Sequence, residues 1–237
     1  MAASDKLIVA LDVDTREKAL SLVDKLKDET RFFKIGLELF SSCGPGIVSA
    51  VKERGCEVFL DLKLHDIPTT VARAAAALTN LGASLFTVHA LGGFDMMQRT
   101  AETVAATAAR LGIPRPKIVA VTVLTSMDRK ALKNVGIDAM IADEVAALAH
   151  LARDAGVDGV VASPQEARTI RAALGKDFII VTPGVRPGNT ASDDQRRVAT
   201  PREAIECGAS YLVIGRPVTA AADPAAAARA IRTEIAS

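Results

Sequence analysis

Residues 59–70 read FLDLKLHDIPTT and place two carboxylates, a lysine and a histidine within six positions. Asp61 and Lys63 alternate with leucines, as in a strand that has one apolar and one polar face. Charged side chains at the centre of a globular domain are costly unless oppositely charged groups pair with them. The segment is therefore either an exposed edge strand or a site whose charges do chemistry.

Charged residues accompany other apolar runs as well. Lys34 lies within FFKIG, and Asp12 directly follows LIVAL. Because neighbouring parallel strands end at the same edge of a sheet, we expect Lys34 to approach Asp61 and Lys63. Alternating charge on a rigid wall suits a preorganised catalytic site better than it suits a solvated rim.

Glycine and arginine follow the last two apolar runs, in VTPGVR and VIGRP. Gly184, Arg186, Gly215 and Arg216 would lie where barrels of parallel strands often hold a phosphate. Glycine lets backbone amides approach an anion, and arginine supplies a planar pair of donors. The alternative is that these glycines form turns and these arginines pair with surface acids.

Eight short apolar runs must position these residues, and amphipathic, alanine-rich stretches separate them. The predicted strands are 7–11, 32–36, 58–63, 84–90, 118–124, 159–163, 178–184 and 211–216. The predicted helices are 16–27, 45–54, 69–81, 94–111, 139–155, 164–174, 201–207 and 224–235. Pro164, Pro201 and Pro224 fall where a first helical turn tolerates proline.

Strict alternation of strand and helix predicts a parallel sheet covered on both faces. Eight such units in 237 residues predict a single (β/α)8 barrel over 1–237, with its site at the carboxyl ends of the strands. A doubly wound sheet is disfavoured because LDVDTRE, not a glycine-rich fingerprint, follows the first strand. The polar segment 184–197 is a candidate lid.

Composition narrows the function classes. Lysine and arginine number 29 against 28 acidic residues, so nothing in the charge favours nucleic acid or an anionic membrane. Three dispersed cysteines (Cys43, Cys56 and Cys207) and a first apolar run too short for a signal or a membrane span predict a cytoplasmic protein. His65 and His89 lack the spacing of a metal motif, so no metal site is predicted.

At DLKLHDIPTT the chain resembles the orotidine 5′-phosphate decarboxylase family, most closely its short bacterial form. The likeness runs in unbroken order through LDVD, FFKIG, VHALGG, VTVLTS, VTPGVRP, DQRRVATP and VIGRP. The resemblance implies decarboxylation of orotidine 5′-monophosphate to UMP, the last step of de novo pyrimidine synthesis, without a metal or organic cofactor.

The resemblance also implies residue roles. Lys34, Asp61, Lys63 and Asp66 would form a charged network around the reacting carbon, with Lys63 protonating C6. Asp66, Ile67 and Thr70 would come from the partner subunit, so the active form would be a homodimer. Asp12 and Lys34 would hold the ribose hydroxyls, and Ser126 would hold the pyrimidine edge, with Thr125 in the adjacent binding turn. The phosphate would be bound by Arg186, Gly215 and Arg216, with Gln195 reaching it from the lid, and Pro183 is a further substrate-binding candidate.

Two alternatives remain open, a metal-assisted enzyme and a non-catalytic barrel, while a third is disfavoured. Metal-assisted phosphate-sugar decarboxylases and aldolases share the DxKxxD core but use a carboxylate on the second strand as a Mg²⁺ ligand, where this chain has Lys34. A Schiff-base lysine is disfavoured because the flanking aspartates keep the amine protonated. A non-catalytic nucleotide-binding barrel would be expected to lose a member of the charged network, and all four are present.

Overall fold

The computed structural model describes residues 6–187 and 199–236. Within them, eight strands pair in sequence order, all parallel, and β1 closes the ring by pairing with both β2 and β8. The strands are β1 Leu7–Ala10, β2 Phe32–Gly36, β3 Glu57–Leu64, β4 Leu85–His89, β5 Lys117–Val121, β6 Gly159–Val161, β7 Ile179–Thr182 and β8 Tyr211–Ile214. The predicted eight-stranded α/β barrel is confirmed.

Helices fill every connection between strands. They are α1 Arg16–Leu26, α2 Leu37–Cys43, α3 Gly46–Lys52, α4 Pro68–Asn80, α5 Phe94–Leu111, α6 Arg129–Asn134, α7 Ile141–Asp154, α8 Pro164–Leu174, α9 Pro201–Glu206, α10 Arg216–Thr219 and α11 Pro224–Ala236. The three prolines predicted in first turns do open α8, α9 and α11. The predictions missed α2, α6 and α10, which are too short to show a helical period.

Several strands end earlier than the apolar runs predict. The run 118–124 leaves the sheet after Val121, and the run 178–184 leaves it after Thr182. These extra residues follow the carboxyl ends of the strands and lie at the rim of the barrel. The sequence pattern alone does not separate a strand from the apolar turn that continues it.

Two apolar layers hold the barrel. The larger lies between the strands and the helices, and the smaller fills the barrel interior with Ile8, Phe59, Leu85, Val119 and Val181. Inward-facing residues alternate with outward-facing ones, so Asp61 follows Phe59 and Thr87 follows Leu85 on the inner face. The interior is therefore apolar in its lower layers and polar at the mouth.

Candidate active site

A cavity of about 260 Å³ opens at the carboxyl ends of the strands. Its lining includes nine of the predicted site residues: Asp12, Lys34, Asp61, Lys63, Thr125, Pro183, Arg186, Gly215 and Arg216. They come from β2, β3 and the segments after β1, β5, β7 and β8, far apart in sequence. The closure of the barrel thus brings together the charged wall and the glycine–arginine segments.

The charged wall alternates in sign. Lys63 Nζ lies 2.9 Å from Asp61 Oδ1, and Lys34 Nζ lies 3.6 Å from Asp61 Oδ2. Lys34 Nζ is also 3.1 Å from Asp12 Oδ1. The Asp61 and Lys34 side chains are only 15% and 11% exposed, whereas Lys63 is 34% exposed toward the cavity. Each buried charge has an opposite neighbour, which offsets its desolvation.

Two glycines leave space for this wall. A Cβ atom at Gly36 would lie 3.0 Å from Lys34 Nζ, and one at Gly215 would lie 3.3 Å from Asp12 Oδ2. A side chain at either position would displace a charged group. Gly36 lies two residues beyond Lys34 on the same strand, so the two share one face of the sheet. Once Lys34 is assigned to the site, strand alternation predicts that a small residue is needed at position 36.

The rim after β7 and β8 carries the glycine–arginine segments. Gly184 has a left-handed φ of 74°, and the Arg186 backbone N–H donates to the Ala199 carbonyl at 3.0 Å. Arg216 begins the short helix α10 directly after Gly215. Gln195 and most of the predicted lid 184–197 lie outside the described residues.

Four predicted residues do not line the cavity. Ser126 is exposed in the turn after β5, and Asp66, Ile67 and Thr70 are exposed between β3 and the first turn of α4. Asp66 Oδ1 accepts a hydrogen bond from the Ile67 backbone N–H at 2.6 Å, and Asp66 makes no ion pair with any residue of 6–187 or 199–236. Their roles remain predictions.

His65 and His89 form a stacked pair beside the mouth, with ring centroids 5.2 Å apart and planes at 20°. Burial, together with the positive charges of His65 and Lys63, lowers the pKa of His89 to about 4. His89 Nδ1 accepts from the Leu91 backbone N–H. Among the residues that the structure describes, no three histidine, cysteine or acidic side chains are grouped to hold a metal ion.

The sequence-based predictions missed Thr87. Its hydroxyl lies 3.1 Å from Asp61 Oδ1 and 2.8 Å from the Lys63 backbone nitrogen. The signal was present in LFTVH, where Thr87 is the polar residue on the inward face of β4 beside Asp61.

In the part of the chain that is described, no helix combines the length and the apolar character needed to cross a membrane. The fold and its polar mouth define the class: an enzyme built on a (β/α)8 barrel, with its site at the carboxyl ends of the strands.

Comparison with known proteins identifies the family. Residues 5–231 match the family model described as orotidine 5′-phosphate decarboxylase / HUMPS. An orotidine 5′-phosphate decarboxylase of Moorella thermoacetica is 58% identical over 236 residues, which cover 99% of this chain and 94% of the relative. One from Geotalea daltonii is 50% identical over 233 residues, covering 98% of this chain and 97% of that protein.

A solved structure agrees with these relatives. The crystal structure of orotidine 5′-phosphate decarboxylase from Lactobacillus acidophilus superposes with a TM-score of 0.87 at 40% identity, covering 98% of this chain and 100% of that chain. The chain therefore belongs to the orotidine 5′-phosphate decarboxylase family.

Proposed function

We propose that this protein is a carboxy-lyase that converts orotidine 5′-monophosphate to UMP and CO₂ in pyrimidine biosynthesis, with 1–237 acting as one catalytic domain. The observation that carries the proposal is the Lys34–Asp61–Lys63 wall facing the mouth cavity of a chain that belongs to this family. No metal or organic cofactor takes part in the proposed reaction.

Lys63 is the proposed general acid. When the bond between C6 and the carboxylate breaks, its electron pair stays on C6 and CO₂ leaves. A proton from Lys63 Nζ then forms the new C6–H bond, and the neutral amine regains a proton from water. The Lys63 ammonium, which pairs with Asp61, also stabilises negative charge as it develops at C6.

Repulsion between Asp61 and the substrate carboxylate is a minority contribution. Two like charges ~4 Å apart at an effective dielectric constant of ~20 repel by about 4 kcal/mol. Enzymatic accelerations correspond to roughly 8–23 kcal/mol. Most of the acceleration must therefore come from stabilising the carbanion and from binding the parts of the substrate that do not react.

The opposite rim supplies that binding. Arg186, Gly215 and Arg216 line the cavity on the side of β7 and β8, where they would hold the 5′-phosphate, with Gln195 reaching it from the proposed lid. The Asp12 side chain is about half exposed and pairs with Lys34. It would accept hydrogen bonds from the ribose hydroxyls. Thr125, Ser126 and Pro183 would border the pyrimidine and the phosphate.

The homodimer is proposed from the surface around Asp66. Ile67 is 65% exposed, and Leu37, Leu91 and Phe94 are exposed in the segments that follow β2 and β4, on either side of β3. Exposed apolar side chains grouped on one face favour association. A partner covering this face would bring Asp66, Ile67 and Thr70 to the neighbouring site.

Turnover of orotidine 5′-monophosphate tests the proposed reaction. In EDTA, the purified protein should deplete the substrate's ultraviolet absorbance and yield UMP, identified by chromatography. Activity that EDTA abolishes would contradict the proposal in favour of a metal-assisted sugar-phosphate enzyme, although Lys34 occupies the space between Asp12 and Asp61 that such a metal would need. Binding of UMP without turnover would favour a nucleotide-binding barrel.

Subunit mixing tests the shared site. Lys63→Ala and Asp66→Ala dimers should each be inactive, and each mixed dimer should hold one site with both defects and one intact site. After dissociation and random reassociation, activity should recover to about a quarter of the wild-type value. No recovery from stable mixed dimers would show that Asp66 acts within its own subunit.

A further inference from the structure

Thr87 connects the two central groups of the charged wall. The residue is fully buried on the inner face of β4. Its Oγ accepts a hydrogen bond from the Lys63 backbone N–H at 2.8 Å and lies 3.1 Å from Asp61 Oδ1. The same carboxylate oxygen accepts the Lys63 ammonium at 2.9 Å. One hydroxyl therefore contacts both the proposed acid and its counter-ion.

The direction of these hydrogen bonds is fixed by chemistry. A backbone N–H can only donate, so the Thr87 oxygen must accept from Lys63. The single hydroxyl proton is then left for Asp61, which as a carboxylate can only accept. Asp61 Oδ1 is held by Thr87 and by the Lys63 ammonium, while Oδ2 faces Lys34. The carboxylate thus has one preferred orientation.

The backbone at Lys63 is the second reason that Thr87 matters. Lys63 has a φ of 50°, the only left-handed residue other than glycine in the described chain. The register between β3 and β4 shifts between Leu60 and Leu64, as at a bulge. A left-handed backbone is strained for lysine and persists only where the surroundings hold it. The Lys63 N–H binds a side chain of β4 instead of continuing the ladder.

We propose that Thr87 is a positioning residue for the decarboxylation. Its hydroxyl holds the left-handed Lys63 backbone and orients the Asp61 carboxylate, so that the Lys63 ammonium approaches C6 in a single geometry. The inference rests on the proposed function. Thr87 does not line the cavity and acts only through Lys63 and Asp61.

Thr87→Val is the direct test, because valine keeps the shape and removes both hydrogen bonds. A small displacement of a catalytic group can cost about 100-fold in rate, so kcat should fall by roughly 10- to 100-fold. KM should stay within about threefold, because the proposed phosphate contacts lie on the opposite rim and the Thr87 hydroxyl bonds Lys63 and Asp61 and not the proposed ribose contacts. Thr87→Ser, which keeps the hydroxyl, should recover most of kcat.

Thr100→Val is the matched control. Thr100 is equally buried, on α5, and its hydroxyl donates only to the Met96 carbonyl. It should leave kcat unchanged, which separates loss of a buried hydroxyl from loss at this position. If Thr87→Val does not fold, the ratio of kcat between Thr87→Ser and Thr87→Ala decides, since these two differ by the hydroxyl alone.

The inference is overturned if Thr87→Val keeps kcat within twofold of wild type, or if Thr87→Ser is as slow as the hydroxyl-free variant. Failure of the proposed function would appear differently, as absence of turnover in the wild type. The two outcomes are therefore distinguishable.

Discussion

Both ends of the barrel hold a nearly buried carboxylate surrounded by cations, but the two clusters are built differently. At the carboxyl ends of the strands, Asp61 lies between Lys34 and Lys63 beside an open cavity. At the amino ends, Asp158 just before β6 contacts Arg115 at 2.6 Å, Lys117 at 3.1 Å and the Ile118 backbone N–H at 2.9 Å. The Asp61 and Asp158 side chains are similarly exposed, at 15% and 14%.

The difference is what the cations can still reach. Arg115 and Lys117 turn toward Asp158 and tie β5 to β6 outside the mouth cavity. Glu29, before β2, is likewise held by Arg229 and Arg232 of α11. Lys34 and Lys63 instead line a cavity that can admit a substrate. On the proposed function, paired charges on this barrel serve stability at the amino ends of the strands and chemistry at the carboxyl ends.

Replacing one lysine by alanine at each end of the barrel should give the largest difference in kcat. Lys63→Ala removes the proposed acid and a cation that stabilises the carbanion, so kcat for orotidine 5′-monophosphate should fall about 10⁴-fold or more. Lys117→Ala, the matched control, breaks a comparable ion pair on Asp158 and should leave kcat within twofold. Steady-state assays on both variants measure this. Equal losses in both would remove the distinction between the ends.

Arginine variants should give a smaller contrast. Arg216→Ala removes a bidentate, charge-assisted contact to the proposed phosphate, which corresponds to about 100-fold in kcat/KM. Arg115→Ala should leave kcat/KM unchanged and lower the free energy of unfolding by about 1 kcal/mol, because the pair is partly exposed. Substrate-concentration series and urea unfolding test the pair. An Arg216→Ala enzyme with normal kcat/KM would refute the phosphate assignment.

Lowering the pH should reduce the stability contributed by His89 at the mouth and by Glu29 at the amino ends of the strands in two different pH ranges. The pKa of His89, about 4 in the folded protein against an ordinary 6.5, means that the unfolded chain takes up this proton first. Stability is therefore complete above pH 6.5 and falls as pH drops toward 4. Hydrogen bonding by Arg229 holds the pKa of Glu29 below its ordinary 4.5, so its contribution is lost only as pH falls below that value.

Urea unfolding at pH 7 and pH 5 distinguishes the two groups. His89→Asn retains an acceptor for the Leu91 N–H. Between pH 7 and pH 5, its free energy of unfolding should rise by about 1 kcal/mol relative to that of the wild type, after allowance for the partly exposed ring. The free energy of unfolding of Glu29→Gln should lie below that of the wild type by the same amount at pH 7 and pH 5. A His89→Asn difference that does not change with pH would contradict the assigned window.

The sequence predicted the barrel because its strands and long helices have clear periods. It predicted Lys34, Asp61 and Lys63 as neighbours because strand alternation places them on one inner face. It did not reveal the left-handed Lys63, which depends on the register between β3 and β4. The inward position of Thr87 is visible in LFTVH, but its hydrogen bond to the Lys63 backbone depends on the same register. A register shift arises from packing across strands and has no local pattern.

Asp66 marks a different limit. Its side chain bonds the neighbouring Ile67 amide at the exposed rim and does not line the cavity of its own chain. Its proposed role needs a second subunit, and the physical chemistry of one chain specifies only an exposed apolar face beside it. Sequence patterns within a chain predict its own core far better than they predict what covers its surface.

The most direct test of the contrast between the two ends exchanges one carboxylate at each. Asp61→Asn should lower kcat/KM for orotidine 5′-monophosphate by about 10³-fold. It should lower the free energy of unfolding less than Asp158→Asn does, because Lys34 and Lys63 can move into the open cavity. Asp158→Asn should keep kcat/KM within twofold and lower the free energy of unfolding by about 1–2 kcal/mol. If Asp61→Asn retains activity, or if Asp158→Asn loses it while remaining folded, the assignment of chemistry to the mouth is wrong.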